Sequence, residues 1–323
     1  MFVSKNLSTC FFGTATALVI TIPIQNALAL NPQELDAFAS QTTVLIAPNL
    51  KKGDVEAQHE FNPGSGVIVA HSSTTYYVLT NLHVVEQDDL YGVRTADGDV
   101  HIVNPVDNPS AIFRFGTFQG SLASSYRPIN GFDLAVVKFE SDRNYPVVPI
   151  TNQEPHQGET VFVSGWPNPE NQSARRQRVS SQGLVSAVVG TPFPDGGYSI
   201  LYNNSTQRGM SGGPIFNIDG EVVGIHGRGR SQGDVYCIDP QISIDNSCGI
   251  QAINFVTQAQ LANLNLAFNY SPPNHSAIAV GIVTKSTADM IDDIYGLFTD
   301  LDKLKSHVTN LEERLQILEE KRH

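Results

Sequence analysis

From Thr43 onward, short runs of aliphatic, aromatic and β-branched residues alternate with clusters of turn formers. The runs are Thr43–Ile46, Gly66–Ala70, Thr75–Thr80, Leu134–Phe139, Thr160–Val163, Tyr198–Tyr202 and Glu221–Ile225. Between them lie Ala96-Asp97-Gly98-Asp99, Pro194-Asp195-Gly196-Gly197 and Asp219-Gly220, whose backbones reverse easily. Many short strands with turn signals and few helical periods predict an all-β barrel or sandwich. The first helical period runs from Phe255 to Leu266, and it closes this region.

Beyond it the pattern changes. Residues 269–288 include Pro272-Pro273 and small polar side chains, the composition of a linker. Residues 289–323 hold nine acidic and five basic side chains around an apolar seam. Met290, Ile294, Leu297, Leu301, Leu304, Val308, Leu311, Leu315 and Leu318 recur at alternating spacings of four and three, which is a heptad pattern. With Ile294, Leu301, Val308 and Leu315 at one core position, parallel chains would face Asp300 with Lys305 and Arg314 with Glu319. Arg314-Leu315-Gln316-Ile317-Leu318-Glu319 resembles a motif of trimeric coiled coils, so a parallel homotrimer through residues 289–323 is expected. The competing reading is a helix folded back on its own globular domain, but so narrow a stripe suits a coil better.

The amino terminus has Lys5, an apolar run from Cys10 to Ile24 and then Ala27-Leu28-Ala29. That order predicts a signal peptide over residues 1–29, cleaved after Ala29, and a secreted or periplasmic protein. The alternative, a retained anchor, needs about 20 apolar residues, and this run is shorter and contains Pro23. Cleavage would remove Cys10 and leave Cys237 and Cys248, an even pair in an oxidising compartment, so a disulfide between them is expected.

Composition narrows the function. Of 323 residues 41% are hydrophobic and 16% charged, which supports a packed core. The net charge of -12 argues against nucleic acid or an anionic membrane as partner, since both need clustered cations. The cysteines form no C-x-x-C pair, so no metal site and no cofactor are expected.

Three segments carry candidate chemistry: Thr80-Asn81-Leu82-His83-Val84-Val85, Phe132-Asp133-Leu134-Ala135-Val136-Val137 and Gly209-Met210-Ser211-Gly212-Gly213-Pro214. A serine hydroxyl needs an adjacent base to act as a nucleophile. A histidine titrates near working pH, and a buried aspartate fixes its tautomer. Glycines beside the serine let backbone N–H groups aim at a developing oxyanion. The G-x-S-x-G run also fits the nucleophile elbow of α/β-hydrolases. That elbow leads into a helix and precedes its acid and histidine. Here a hairpin follows, and the order is His, Asp, Ser.

In that order the segments resemble the chymotrypsin-like (trypsin-fold) serine proteases over roughly Thr43 to Leu266. Gly64-Ser65-Gly66-Val67-Ile68-Val69 matches a strand of their bacterial exported members. The resemblance implies two six-stranded β-barrels over residues 30–268, a triad of His83, Asp133 and Ser211, and an oxyanion hole from the N–H groups of Gly209 and Ser211. Met210 stands where the digestive enzymes have an aspartate that pairs with a newly cut amino terminus. The similarity is therefore closer to bacterial exported proteases and to HtrA-like catalytic domains. Those usually carry a following PDZ domain, for which the residues after Leu266 are too few.

The resemblance also locates a substrate pocket. Ser205 takes its base position, so a preference for Lys or Arg is unsupported. Thr206, five before Ser211, and His226, fifteen after it, are similar to the acid-binding pair of the glutamyl endopeptidases. A hydroxyl and an imidazole N–H can satisfy a buried carboxylate. The alternative is a structural His226 at a strand end. The expected function is a serine endopeptidase acting on proteins or peptides, with Glu before the cut bond. Its competitor is a protease-like scaffold oligomerised by the coil.

Overall fold

The computed structural model describes residues 30–51, 63–121, 127–169, 176–229 and 245–262, with Leu264, Leu266 and Phe268. The signal peptide, Cys237, the linker and the heptad segment lie outside the described residues. All described residues belong to one compact unit, residues 1–273.

The chain enters through a helix that the sequence reading did not anticipate, α1 (Pro32–Thr42). Asn31 caps it. Its side chain accepts from the N–H groups of Gln33 and Glu34, and Glu34 accepts from the N–H of Asn31. Such a reciprocal cap, worth about 1 kcal/mol, closes donors that a first turn leaves open. Leu35 and Ala39 are buried on its inner face. Only two buried apolar side chains leave little periodic signal.

Seven strands then form the first sheet: β1 (Thr43–Pro48), β2 (Gly64–Ser72), β3 (Thr75–Thr80), β4 (Tyr91–Arg94), β5 (Val100–Val103), β6 (Ile112–Phe118) and β7 (Ile129–Glu140). Their order is β5-β4-β1-β2-β3-β7-β6. This corrects the expectation of two six-stranded barrels, because here β5 and β6 stay as edges. The connection between them passes through Pro105 and Pro109 and a 3-10 turn at Pro109–Ala111.

The other six strands close as expected. They are β8 (Thr160–Gly165), β9 (Val179–Val188), β10 (Ile200–Tyr202), β11 (Pro214–Phe216), β12 (Val222–Arg228) and β13 (Ser247–Gln251), in the barrel order β10-β13-β12-β11-β8-β9. Helix α2 (Ala252–Leu261) follows directly, starting and ending a few residues before the stretch read from periodicity.

Alternation along β7 couples the two halves. Ala135 and Val137 point into the first sheet's core with Val44, Ile68 and Val78. Leu134 and Val136 point into a core shared with Phe216, Ile225, Ile250 and Phe255 of the second half. A strand buried on both faces is fixed in register, since a one-residue slip would exchange the two sets. Asp133, at the start of that run, is thereby held at the junction of the halves. Cys248 is buried in β13 and disulfide-bonded.

Candidate active site

His83 lies in a single 3-10 turn, Leu82–Val84, directly after β3. Its neighbours Leu82 and Val84 are buried, which turns the imidazole outward. Asp133 reaches it from β7. The Nδ1 of His83 lies 2.7 Å from Asp133 Oδ2, and the His83 backbone N–H donates to Oδ1 at 2.9 Å. Asn81, also buried, donates to the Asp133 carbonyl at 2.8 Å. The Tyr198 hydroxyl donates to Oδ2 at 2.5 Å.

Side-chain exposure is 33% for His83 and 1% for Asp133. Burial by itself would raise the carboxyl's pKa. The His83 charge and the bonds from His83 and Tyr198 outweigh it and hold the carboxyl below its ordinary range. An unpaired carboxylate at such a site would cost several kcal/mol.

Ser211 follows a backbone that only glycine tolerates. Gly209 has φ 94, and a Cβ there would fall 2.6 Å from the Trp166 carbonyl. Its own carbonyl accepts from the buried Ser65 hydroxyl at 2.8 Å. The Arg176 guanidinium, bonded to the Trp166 carbonyl and to Asn168 Oδ1, walls this loop. Burial and the nearby Arg94 cation push Arg176 down to about 10. The Met210 N–H donates to Gln207, whereas those of Gly209 and Ser211 have no acceptor among the described residues. The Ser211 hydroxyl is half-buried and donates to the Gly227 carbonyl at 3.0 Å. No bond joins it to His83 among the described residues.

The three pocket candidates separate. Ser205 is exposed, and Thr206 is half-buried with its hydroxyl 2.7 Å from that of Ser247. His226 is buried in β12, and its Nδ1 lies 2.5 Å from the Tyr202 hydroxyl. β13 links the last two, since it pairs Ser247 with Tyr202 and Gly249 with His226. Burial, reinforced by His83 whenever that ring carries a proton, pushes His226 down to about 3. This imidazole is neutral at ordinary pH.

A family model described as a trypsin-like peptidase domain matches residues 64–225, a span that contains His83, Asp133 and Ser211. The chain belongs to that family.

Curated relatives agree. The chain is 32% identical over 166 residues to a probable periplasmic serine endoprotease DegP-like of Marinomonas sp., covering 50% of this chain and 29% of that protein. To the serine endoprotease DegS of Haemophilus influenzae it is 30% identical over 167 residues, covering 51% and 41%. A DegP-like protein of Hahella chejuensis is 30% identical over 258 residues, covering 75% and 48%. The chain thus spans less than half the length of these relatives.

In this trypsin-like domain the sequence motifs brought His83 and Asp133 into contact and put Ser211 beside Gly227. Sequence reasoning missed Tyr198, Tyr202 and Ser247. Tyr198 and Tyr202 are the two ends of an apolar run read only as a strand. Nothing in their local spacing reports that the hydroxyls of Tyr198 and Tyr202 meet the candidate side chains Asp133 and His226. Among the described residues no His, Cys, Asp and Glu side chains cluster as metal ligands.

Proposed function

We propose that the chain is an exported serine endopeptidase, with Ser211 as nucleophile, His83 as general base and Asp133 as the group that orients it. The observation that carries the reading is the bond of His83 Nδ1 to a buried, ionised Asp133 within the matched peptidase domain. Proton donation from Nδ1 leaves the Nε2 lone pair free to accept the serine proton. The Ser211 hydroxyl turns from the Gly227 carbonyl toward that lone pair, a rotation about one side-chain bond. Catalytic hydrogen bonds often tighten only with substrate bound. The serine oxygen then attacks the peptide carbonyl while His83 takes its proton. Collapse of the tetrahedral intermediate breaks the C–N bond, and His83 returns the proton to the leaving amine. Water releases the acyl group by the same route. The N–H groups of Gly209 and Ser211 stabilise the oxyanion.

For the pocket we propose acceptance of a Glu side chain. A Tyr202 hydroxyl donating to Nδ1 leaves His226 with its proton on Nε2, a neutral donor for a carboxylate. The Thr206 hydroxyl is steadied by Ser247. The test is labelling with a fluorophosphonate, followed by peptide-library profiling. Labelling of the wild type and its loss in Ser211→Ala are expected, with Glu preferred before the cut bond. An unlabelled wild type would leave a protease-like scaffold, and a preference for Leu, Phe or Ala would make His226 structural.

The heptad seam supports a parallel homotrimer through residues 289–323, with Cys237 the proposed partner of Cys248. Light scattering of the chain with and without those residues is expected to show a more than threefold difference in mass. An unchanged mass sinks the assembly.

A further inference from the structure

The turn Pro194-Asp195-Gly196-Gly197, from the second barrel, lies against the segment that carries Asp133 in the first sheet. The Asp133 N–H donates to the Gly196 carbonyl at 2.9 Å, and the Gly196 N–H donates to the Ile129 carbonyl at 2.9 Å. Asp195 Oδ1 accepts from the Ile129 N–H at 2.7 Å, while its Oδ2 holds Arg228 at 2.8 Å. Tyr198 leaves this turn fully buried. The Arg228 guanidinium covers one face of its ring, 4.5 Å from the centroid, and its hydroxyl ends on Asp133 Oδ2.

The strand after the serine loop is shaped around that ring. Gly227, whose carbonyl accepts the Ser211 hydroxyl, carries no side chain. A Cβ there would fall 2.4 Å from Tyr198 Cε1 and 2.6 Å from its hydroxyl. One phenol therefore touches the acid directly and borders the residue against which the serine rests.

We propose that Tyr198 is a positioning residue of the active site, its hydroxyl fixing Asp133 Oδ2 so that the carboxylate presents a set orientation to His83. The proposal rests on the reading of His83 and Asp133 as base and orienting acid. Oδ1 is already held by the His83 backbone N–H. With Tyr198 on Oδ2 the carboxylate cannot swing about its Cβ–Cγ bond, and the Nδ1 proton meets a fixed acceptor. Burial and the Asp133 charge raise the phenol far above its ordinary pKa, so it stays a donor at every working pH. The ionisable groups around the pair are His83, Tyr198, Arg228 and Asp195, with His226 beyond the imidazole.

Tyr198→Phe removes the hydroxyl and keeps the ring. A carboxylate with one donor fewer has more charge to share with the imidazolium. In the full-length Ser211→Ala background, the His83 titration followed by NMR is expected to move upward by about half a pH unit or more. The proton between His83 and Asp133 should shift or broaden with it. With Ser211 present, kcat is expected to fall about tenfold while KM stays within about twofold. A folded Tyr198→Phe protein with unchanged titration and unchanged kcat overturns the proposal.

A second arm guards against a packing effect. Tyr198→Ala vacates the space that a side chain at position 227 needs, and a serine there brings a hydroxyl to the same region. Recovery of kcat in Tyr198→Ala/Gly227→Ser over Tyr198→Ala supports the role, and equal losses count against it. The NMR readout needs no turnover. If the wild type hydrolyses nothing, the peptidase reading fails while the titration still judges Tyr198.

Discussion

Two histidines in this molecule receive nearly the same first contact and become different reagents. The Nδ1 of His83 meets the carboxylate of Asp133, and the Nδ1 of His226 meets the hydroxyl of Tyr202. Both second partners are fully buried. Around His83 a full negative charge faces the ring, and the ring is one-third exposed. Around His226 the partner is neutral and the ring is buried, so protonation is opposed down to about pH 3. In the proposed mechanism a charge on the partner makes an imidazole that can take a proton in passing. A neutral partner in a buried site makes a fixed donor. Geometry at Nδ1 does not distinguish the two; charge and access do.

The most forceful way to break the contrast is to give His83 a neutral partner as well. Asp133→Asn keeps the shape, and its oxygen can still accept the His83 backbone N–H. Its amide then faces Nδ1 as a donor, so Nδ1 must accept and Nε2 carries the proton. That tautomer cannot deprotonate Ser211. Turnover is expected to fall about 10⁴-fold, with the small remainder supplied by the oxyanion donors and binding. Steady-state kinetics on a peptide substrate measures it. A loss under tenfold would mean that the charge of Asp133 is not what separates the two histidines.

Much of this was legible in the chain and some was not, for physical reasons. His83, Asp133 and Ser211 each sit in a local run whose residue types the proposed chemistry demands, so short motifs were enough to nominate them. Thr206 and His226 were placed by their distance from Ser211, and both meet buried polar partners. Those partners were invisible, because Tyr202 and Ser247 face each other only through the pairing of β10 with β13. Tyr198 was hidden in the same way, since its contact with Asp133 depends on how the second barrel meets the first sheet. The capping signal at Asn31 to Glu34 was present, but the helix after it buries too narrow a face to register as a period. The seventh strand of the first sheet is a matter of closure. The turn at Ala96–Asp99 was read, but whether β5 meets β6 depends on the path of the whole sheet, which no local run of residues carries.

The smallest effect concerns the other histidine, and it sharpens the comparison on stability. His226 is held in the folded protein at about 3, below the value near 6.5 that an unfolded chain gives it. As pH falls the unfolded chain binds this proton first, so the equilibrium moves toward unfolding. The contribution is complete above about pH 6.5 and is lost progressively from there toward about pH 3. Asp133, whose carboxyl is held below its ordinary range, acts in the same direction but only below about pH 4. The two therefore separate between about pH 6.5 and about pH 4, where the histidine acts alone of the pair. His226→Gln is neutral throughout and can still bond the Tyr202 hydroxyl. Its melting temperature should be lower at neutral pH, because the fit is poorer, yet decline more gently across that window. Thermal melts at matched ionic strength would show it. Parallel curves for the two proteins would mean that His226 takes up its proton in the folded state as readily as in the unfolded one, and that its site is wetter than its burial indicates.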